Sequence, residues 1–105
     1  MILEIRTYTA AVGKTGVWLD YYGKNGLPIQ QRMLGKLIFF GTGEIGPLNQ
    51  ITHIWAYESL AEREQKRGAM GKDPAWQDYL KNQPAGVLIA QECKILNPTA
   101  FSPLK

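Results

Sequence analysis

The sequence predicts an α+β fold of the ferredoxin-like type, a βαββαβ chain whose four strands form one antiparallel sheet with spatial order 4-1-3-2. Three observations predict it. Four runs have the alternation or the β-branched and aromatic content of strands, at 2–9, 37–40, 50–58 and 87–96. Helical periodicity or capping signals fill the intervals after the first and the third run. A length of 105 residues suits one such unit, a single domain over 1–105. With 45% hydrophobic residues the chain can pack a core without disulfides.

The elements follow in order. ILEIRTYT at 2–9 alternates, and Gly13 ends it. Residues 14–24 place Val17, Trp18, Tyr21 and Tyr22 at i, i+1, i+4 and i+5, an amphipathic helix that Asn25-Gly26 stops. Pro28 suits the first turn of a second short helix, 28–34. Gly35 releases the chain into the apolar strand 37–40, and Gly41, Gly43, Gly46 and Pro47 mark a hairpin or bulge before the strand 50–58. Ser59 and Glu62 form a capping box for a helix running to Met70 or Gly71. Asp73-Pro74 starts another helix, with Trp76, Tyr79 and Leu80 as its apolar face, and residues 83–86 break it before the last strand.

Alternation separates the sheet's two faces without saying which one the helices cover. Leu3, Ile5 and Thr7 oppose Glu4, Arg6 and Tyr8; Thr52, Ile54 and Ala56 oppose His53, Trp55 and Tyr57. In the second strand Leu37 and Phe39 should face one way, Ile38 and Phe40 the other. Both faces are thus apolar over part of their length and both need cover. With no spare helix, the expected cover is a second copy of the sheet, giving a homodimer or a higher assembly.

Charge and composition exclude several classes. The net charge of +3 comes from scattered residues, and those at 62–73 alternate with acids as a solvated helix face would, with Glu62 and Lys66 at i,i+4. Nucleic-acid binding is therefore not expected. No apolar run approaches the ~20 residues of a membrane helix, no leader peptide is visible, and the single cysteine favours a reducing compartment, so the expected location is cytoplasmic. Cys93 reads as a small core residue. One His and one Cys cannot make a zinc site of ordinary ligand count, and the glycines at 41, 43 and 46 lie between strands rather than before a helix, so neither a metal nor a nucleotide cofactor is expected.

The residues that could carry chemistry lie on the central strands. Glu4 and Arg6 are two apart on one face and can pair; an ionised group buried there unpaired would cost several kcal/mol, roughly. They form a structural ion pair, with Tyr8 and His53 meeting spare hydrogen bonds, or they line a pocket. His53, with an ordinary pKa near ~6.5, is the one ready proton shuttle.

Several of these segments together resemble the NIPSNAP family: Leu3-Glu4-Ile5-Arg6-Thr7-Tyr8-Thr9 with Gly13-Lys14, Gly35-Lys36-Leu37, Glu44-Ile45-Gly46-Pro47-Leu48-Asn49-Gln50, His53-Ile54-Trp55-Ala56-Tyr57 with Ser59-Leu60-Ala61, and Asp73-Pro74-Ala75-Trp76. The resemblance implies a dimeric α/β barrel, two ferredoxin-like sheets facing each other. It also implies kinship with a wider superfamily of cofactor-independent monooxygenases, haem-degrading enzymes and small isomerases, whose sites lie between sheet and helices.

Two functions follow as expectations. In the first, a small organic molecule is bound or transformed in the sheet–helix cleft by monooxygenase-like or isomerase-like chemistry. Arg6 holds an anionic or carbonyl oxygen and Glu4 holds Arg6. Tyr8 and His53 move protons, and Trp55 and Tyr57 pack a flat ligand. In the second, the chain is a non-catalytic interaction module with the helix 59–71 as its partner surface, probed by reversing Arg63 and Arg67. Haem binding through His53 is a third, weaker option.

Overall fold

The alternating segment Ile2–Ala10 forms β1, and it lies at the centre of the sheet. A computed structural model describes residues 1–105. After β1 come α1 (Thr15–Tyr21), a π-helical turn (Tyr22–Gly26), α2 (Leu27–Met33), β2 (Lys36–Thr42), β3 (Gln50–Tyr57), α3 (Leu60–Lys72), α4 (Pro74–Lys81) and β4 (Leu88–Leu96). The sheet order is β2-β3-β1-β4 with every pair antiparallel, which is the ferredoxin-like order the sequence predicts.

Register decides which residues share a face. Glu4 pairs with Trp55 and Ile95, Arg6 with His53 and Cys93, and Tyr8 with Ile51 and Gln91. This face lies under the helices, because Arg63 of α3 hydrogen-bonds Glu4. Leu3, Ile5, Thr7, Thr52 and Ile54 point the other way and remain half-exposed.

The second strand departs from simple alternation. Its register shifts between Leu37 and Phe39, so Leu37 pairs with Trp55, Phe39 with Ile54 and Phe40 with His53. The expected grouping of Leu37 with Phe39 is therefore corrected. A bulge at Ile38 inserts one residue and reverses the alternation beyond it, leaving Leu37 and Phe40 on the helix side and Phe39 on the open face.

The core has two centres. Tyr8, Trp18, Tyr22, Ile51, Tyr79 and Val87 form one, and Ile2, Leu34, Trp55, Tyr57 and Met70 the other. Cys93 belongs to neither; it sits exposed on the edge strand β4, so the reading of a core cysteine is overturned. Val17, expected on the apolar face of the first helix, is also largely exposed, while Trp18 and Tyr22 carry the burial.

The helices begin and end for local reasons. Asn25-Gly26 does not stop the first helix. The backbone widens into a π turn and continues into α2, immediately before Pro28, which has no N–H for the carbonyl four residues back. Gly26 is required by close approach, since a Cβ there would lie 2.7 Å from the Tyr79 ring and 2.8 Å from the Tyr22 ring. Gly35 takes φ +104°, the left-handed conformation that turns the chain from α2 into β2. At α3 the Ser59 Oγ accepts the Glu62 N–H at 3.1 Å, while the Glu62 carboxylate accepts the N–H of Glu58 rather than that of Ser59. Asp73 caps α4 through the Ala75 N–H at 2.8 Å, ahead of Pro74. No helix is long and apolar enough to cross a membrane.

Candidate functional site

A carboxylate on a central strand must be neutralised where it sits. Glu4 is fully buried, and one of its oxygens, Oε2, collects four donors. Arg63 donates from Nε at 2.8 Å and from Nη2 at 2.6 Å, Arg6 from Nη1 at 3.3 Å, and the Cys93 thiol at 3.0 Å. Arg67 Nη1 stands 3.6 Å from the other oxygen, Oε1, and neither of those two atoms has a hydrogen bond. Burial alone would raise the Glu4 carboxyl; the Arg63 and Cys93 hydrogen bonds, with the charges of Arg67 and Arg6, outweigh it and hold the group below the usual range.

Arg63 and Arg67 are therefore not a solvated face. They are four apart on α3, the spacing that puts both on one side, and with Met70 they form its inward stripe. The i,i+4 pair read from the sequence, Glu62 with Lys66, occupies the neighbouring face as an ion pair of 2.5 Å. Reversing Arg63 or Arg67 would disrupt the Glu4 cluster, so it is no clean probe of a partner surface.

Arg6 is locked from two sides. Its Nη1 meets Glu4, and its Nε donates to the Tyr8 hydroxyl at 3.0 Å. That hydroxyl accepts from Arg6 and keeps its own proton free to donate elsewhere.

Between sheet and helices, beside this cluster, lies a cavity of about 240 Å³. Arg6, Tyr8 and Arg67 form its charged and polar side, with the amides of Gln30, Gln83 and Gln91. Trp18, Tyr22, Trp76 and Tyr79 form its aromatic side, closed by Leu80 and Leu88. Trp18 and Tyr22 stack at 4.6 Å, and Trp76 stacks on Tyr79 at 4.8 Å. Tyr22 is tied by its hydroxyl to Gln30 Oε1 at 2.5 Å, and burial pushes the phenols of Tyr22 and Tyr79 up. The Trp18 indole N–H is buried with no acceptor.

The sequence-predicted residues divide. Arg6 and Tyr8 stand in the cavity wall, and Glu4 lies behind Arg6 and Arg67. His53, Trp55 and Tyr57 are outside the wall. His53 is stacked on Phe40 at 4.6 Å and edge-on to Tyr8 at 4.9 Å, with Nδ1 accepting the Trp55 indole N–H at 2.8 Å. Its remaining proton is thereby placed on Nε2. Burial, then the charge of Arg6, lowers its pKa to about 4, so the ring is neutral at pH 7. Trp55 and Tyr57 pack with Leu34 and Met70 in the second core centre. Sequence reasoning missed Arg67, Trp18, Tyr22, Trp76 and Tyr79 as wall residues. The signals were there as the 63/67/70 stripe and the 18/22 and 76/79 helical pairs.

Comparison with known proteins gives a consistent family. Residues 3–103 match the family model described as NIPSNAP. The chain is 30% identical over 103 residues to Protein NipSnap of Drosophila melanogaster, covering 97% of this chain and 36% of that protein, so it spans about a third of that relative's length. The crystal structure of a NIPSNAP family protein from Agrobacterium tumefaciens is 38% identical, with a TM-score of 0.93 over 99% of this chain and 98% of that one. A structure from Nitrosomonas europaea, named for the antibiotic biosynthesis monooxygenases, aligns at a TM-score of 0.61 over 93% of this chain and 98% of that one, at 12% identity, and shares the fold alone.

Proposed function

The chain belongs to the NIPSNAP family, and on that premise we propose that it binds a small organic molecule in the cleft between sheet and helices. One observation carries this reading: a cavity of about 240 Å³ beside a charged cluster, walled on one side by Arg6 and Tyr8 and on the other by stacked aromatic rings. Such a mixture of apolar wall and a few convergent polar groups is how ligand sites are built. The Arg6 guanidinium is held rigid by Glu4 and Tyr8, so it meets a ligand oxygen without having to be ordered first.

Binding, rather than acid–base turnover, is the better-supported part of this function. His53 is neutral and walled off by Tyr8 and Phe40, and the raised phenols of Tyr22 and Tyr79 hold their protons at pH 7. The Tyr8 hydroxyl accepts from Arg6 Nε and has its own proton free to donate to a ligand.

The test is a fragment screen read by thermal shift, with Leu80→Trp as the blocked control. Leu80 lines the cavity yet is 46% exposed, so a larger ring there fills the space without disturbing the core. Fragments should raise the Tm of the wild type and leave that of the variant unmoved. Equal shifts in both proteins would remove the cleft as the site.

We further propose that a second copy covers the open sheet face, as the resemblance to dimeric α/β barrels implies. Leu3, Ile5 and Ile54 are half-exposed there, with Phe39 at 53%, apolar side chains that a second sheet would take out of water.

A further inference from the structure

The cavity wall is electrostatically unbalanced. Three guanidiniums, those of Arg6, Arg63 and Arg67, converge on the single buried carboxylate of Glu4. Arg63 has a second partner in Glu64, outside the cluster. Arg6 and Arg67, both in the wall, are left to share what remains of one negative charge.

The unmet hydrogen bonds of the wall point the same way. Trp18 Nε1 is a buried donor with no acceptor, and Arg67 Nη1 is a buried donor whose nearest carboxylate oxygen, Glu4 Oε1, stands 3.6 Å away, beyond hydrogen-bond distance. Gln30 Oε1 is already occupied by Tyr22, and Tyr8 has a proton to give. The arginine side of the wall thus carries more positive charge and more donors than Glu4 answers, and a buried donor left unmet costs ~1–3 kcal/mol. A ligand that satisfies it brings oxygen atoms and negative charge.

Shape limits the rest of the ligand. A cavity of ~150 Å³ is enough for benzene, so about 240 Å³ admits one ring with a carboxyl group and a small substituent. The aromatic side, Trp18 with Tyr22 and Trp76 with Tyr79, offers flat faces for such a ring.

Building on the cleft reading above, we propose that the ligand is a planar single-ring carboxylate, a monoanion gripped between the guanidiniums of Arg6 and Arg67 with its ring against the aromatic wall. Guanidinium suits this role because its planar fork matches the two carboxylate oxygens, which an ammonium does not. Glu4 is then a positioning residue: it aims both arginines while cancelling only part of their charge.

The experiment is a titration of the whole chain, 15N-labelled, with benzoate, with its neutral counterpart benzamide, and with acetate, following the tryptophan indole N–H signals. Trp18 and Trp76 lie in the wall, whereas the Trp55 N–H is tied to His53 outside it and serves as an internal reference. Benzoate should move the Trp18 signal, bind at least tenfold tighter than benzamide or acetate, and leave Trp55 still. Arg67→Gln should lower benzoate affinity about tenfold and leave benzamide unaltered. Because that variant also touches the Glu4 cluster, Gln91→Glu gives an independent arm; Gln91 is an exposed wall residue on β4, and a carboxylate there should repel benzoate alone.

Benzamide binding as tightly as benzoate would overturn the anion proposal and leave the cleft reading standing. Acetate binding as tightly as benzoate would overturn the ring. No movement of Trp18 or Trp76 with any of the three, together with no fragment distinguishing wild type from Leu80→Trp, would remove both readings.

Discussion

Glu4 and His53 are two buried polar side chains on the helix-covered face of the sheet, behind the cavity wall, and burial competes with their neighbours to opposite ends. For Glu4 the arginines win, and the charged form is kept; for His53 burial wins, and the neutral form is kept. Each choice has a pH signature. His53 is a base whose folded pKa, about 4, lies below its ordinary 6.5, so between those values the unfolded chain binds the extra proton. Its contribution is intact above pH 6.5 and is lost as pH falls toward 4. Stability measured by urea unfolding should drop by about 2–3 kcal/mol between pH 7 and pH 4.5. Since His53 is the sole histidine, its ring-proton NMR signals should stay unshifted over most of that range. Glu4 acts later: its carboxyl lies below the usual range, so its stabilisation is present above pH ~4.5 and fails as pH falls through the lowered value. Glu4→Gln keeps the shape and removes the charge, leaving Arg6 and Arg67 without a carboxylate and Arg63 with Glu64 alone. We expect a loss of about 3 kcal/mol in the same assay at pH 7. From the sequence, the pairing of Glu4 with Arg6 was legible because they are two apart on one strand. Arg63, 59 positions away, was not, since nothing local to α3 says what its inward stripe meets.

At the scale of elements, what the sequence shows best is what local chemistry determines. Ser59 and Asp73 cap helices because a side-chain oxygen two or three residues before an orphan N–H is a local fact. Strand order followed from the succession of elements. Two features escaped. The bulge at Ile38 is invisible in a run of four apolar residues, where either phase of alternation buries something apolar. The π turn looks from the sequence like a helix stop, because Asn-Gly more often ends a helix than widens it; only the rings of Tyr22 and Tyr79, pressed against Gly26, reveal why the glycine is there. Gly26→Ala should therefore destabilise the fold by about 1–3 kcal/mol although alanine is the better helix former, and should alter the near-ultraviolet circular dichroism of the aromatic wall. An unaltered spectrum and stability would mean that the rings shift aside without loss. The same limit explains the site: His53 stands out in the sequence for its ordinary pKa, and the ring's burial, a property of tertiary packing, is what keeps it neutral at pH 7 and outside the cavity wall.

For the whole molecule, the open sheet face sets the oligomeric expectation. Ile5 stands at the middle of that face, on the central strand. Ile5→Lys should convert a dimer into a monomer in sedimentation equilibrium and abolish any dependence of Tm on protein concentration, which mass action otherwise imposes. A wild type that sediments as a monomer at every concentration would discard the second copy. The placing of β1 has one more effect, on the order of events in time. β1 is flanked on one side by β3 and on the other by β4, whose pairing joins Leu3 to Leu96. During synthesis β1 precedes β4 by all the other elements of this domain, so its second edge stays unpaired until β4 has left the ribosome. Contacts so distant in sequence slow folding, and an unpaired central edge is a template for other chains in the interval. A variant truncated before Leu88 should therefore be recovered in the insoluble fraction, even though every residue of the helices and three of the four strands is still present.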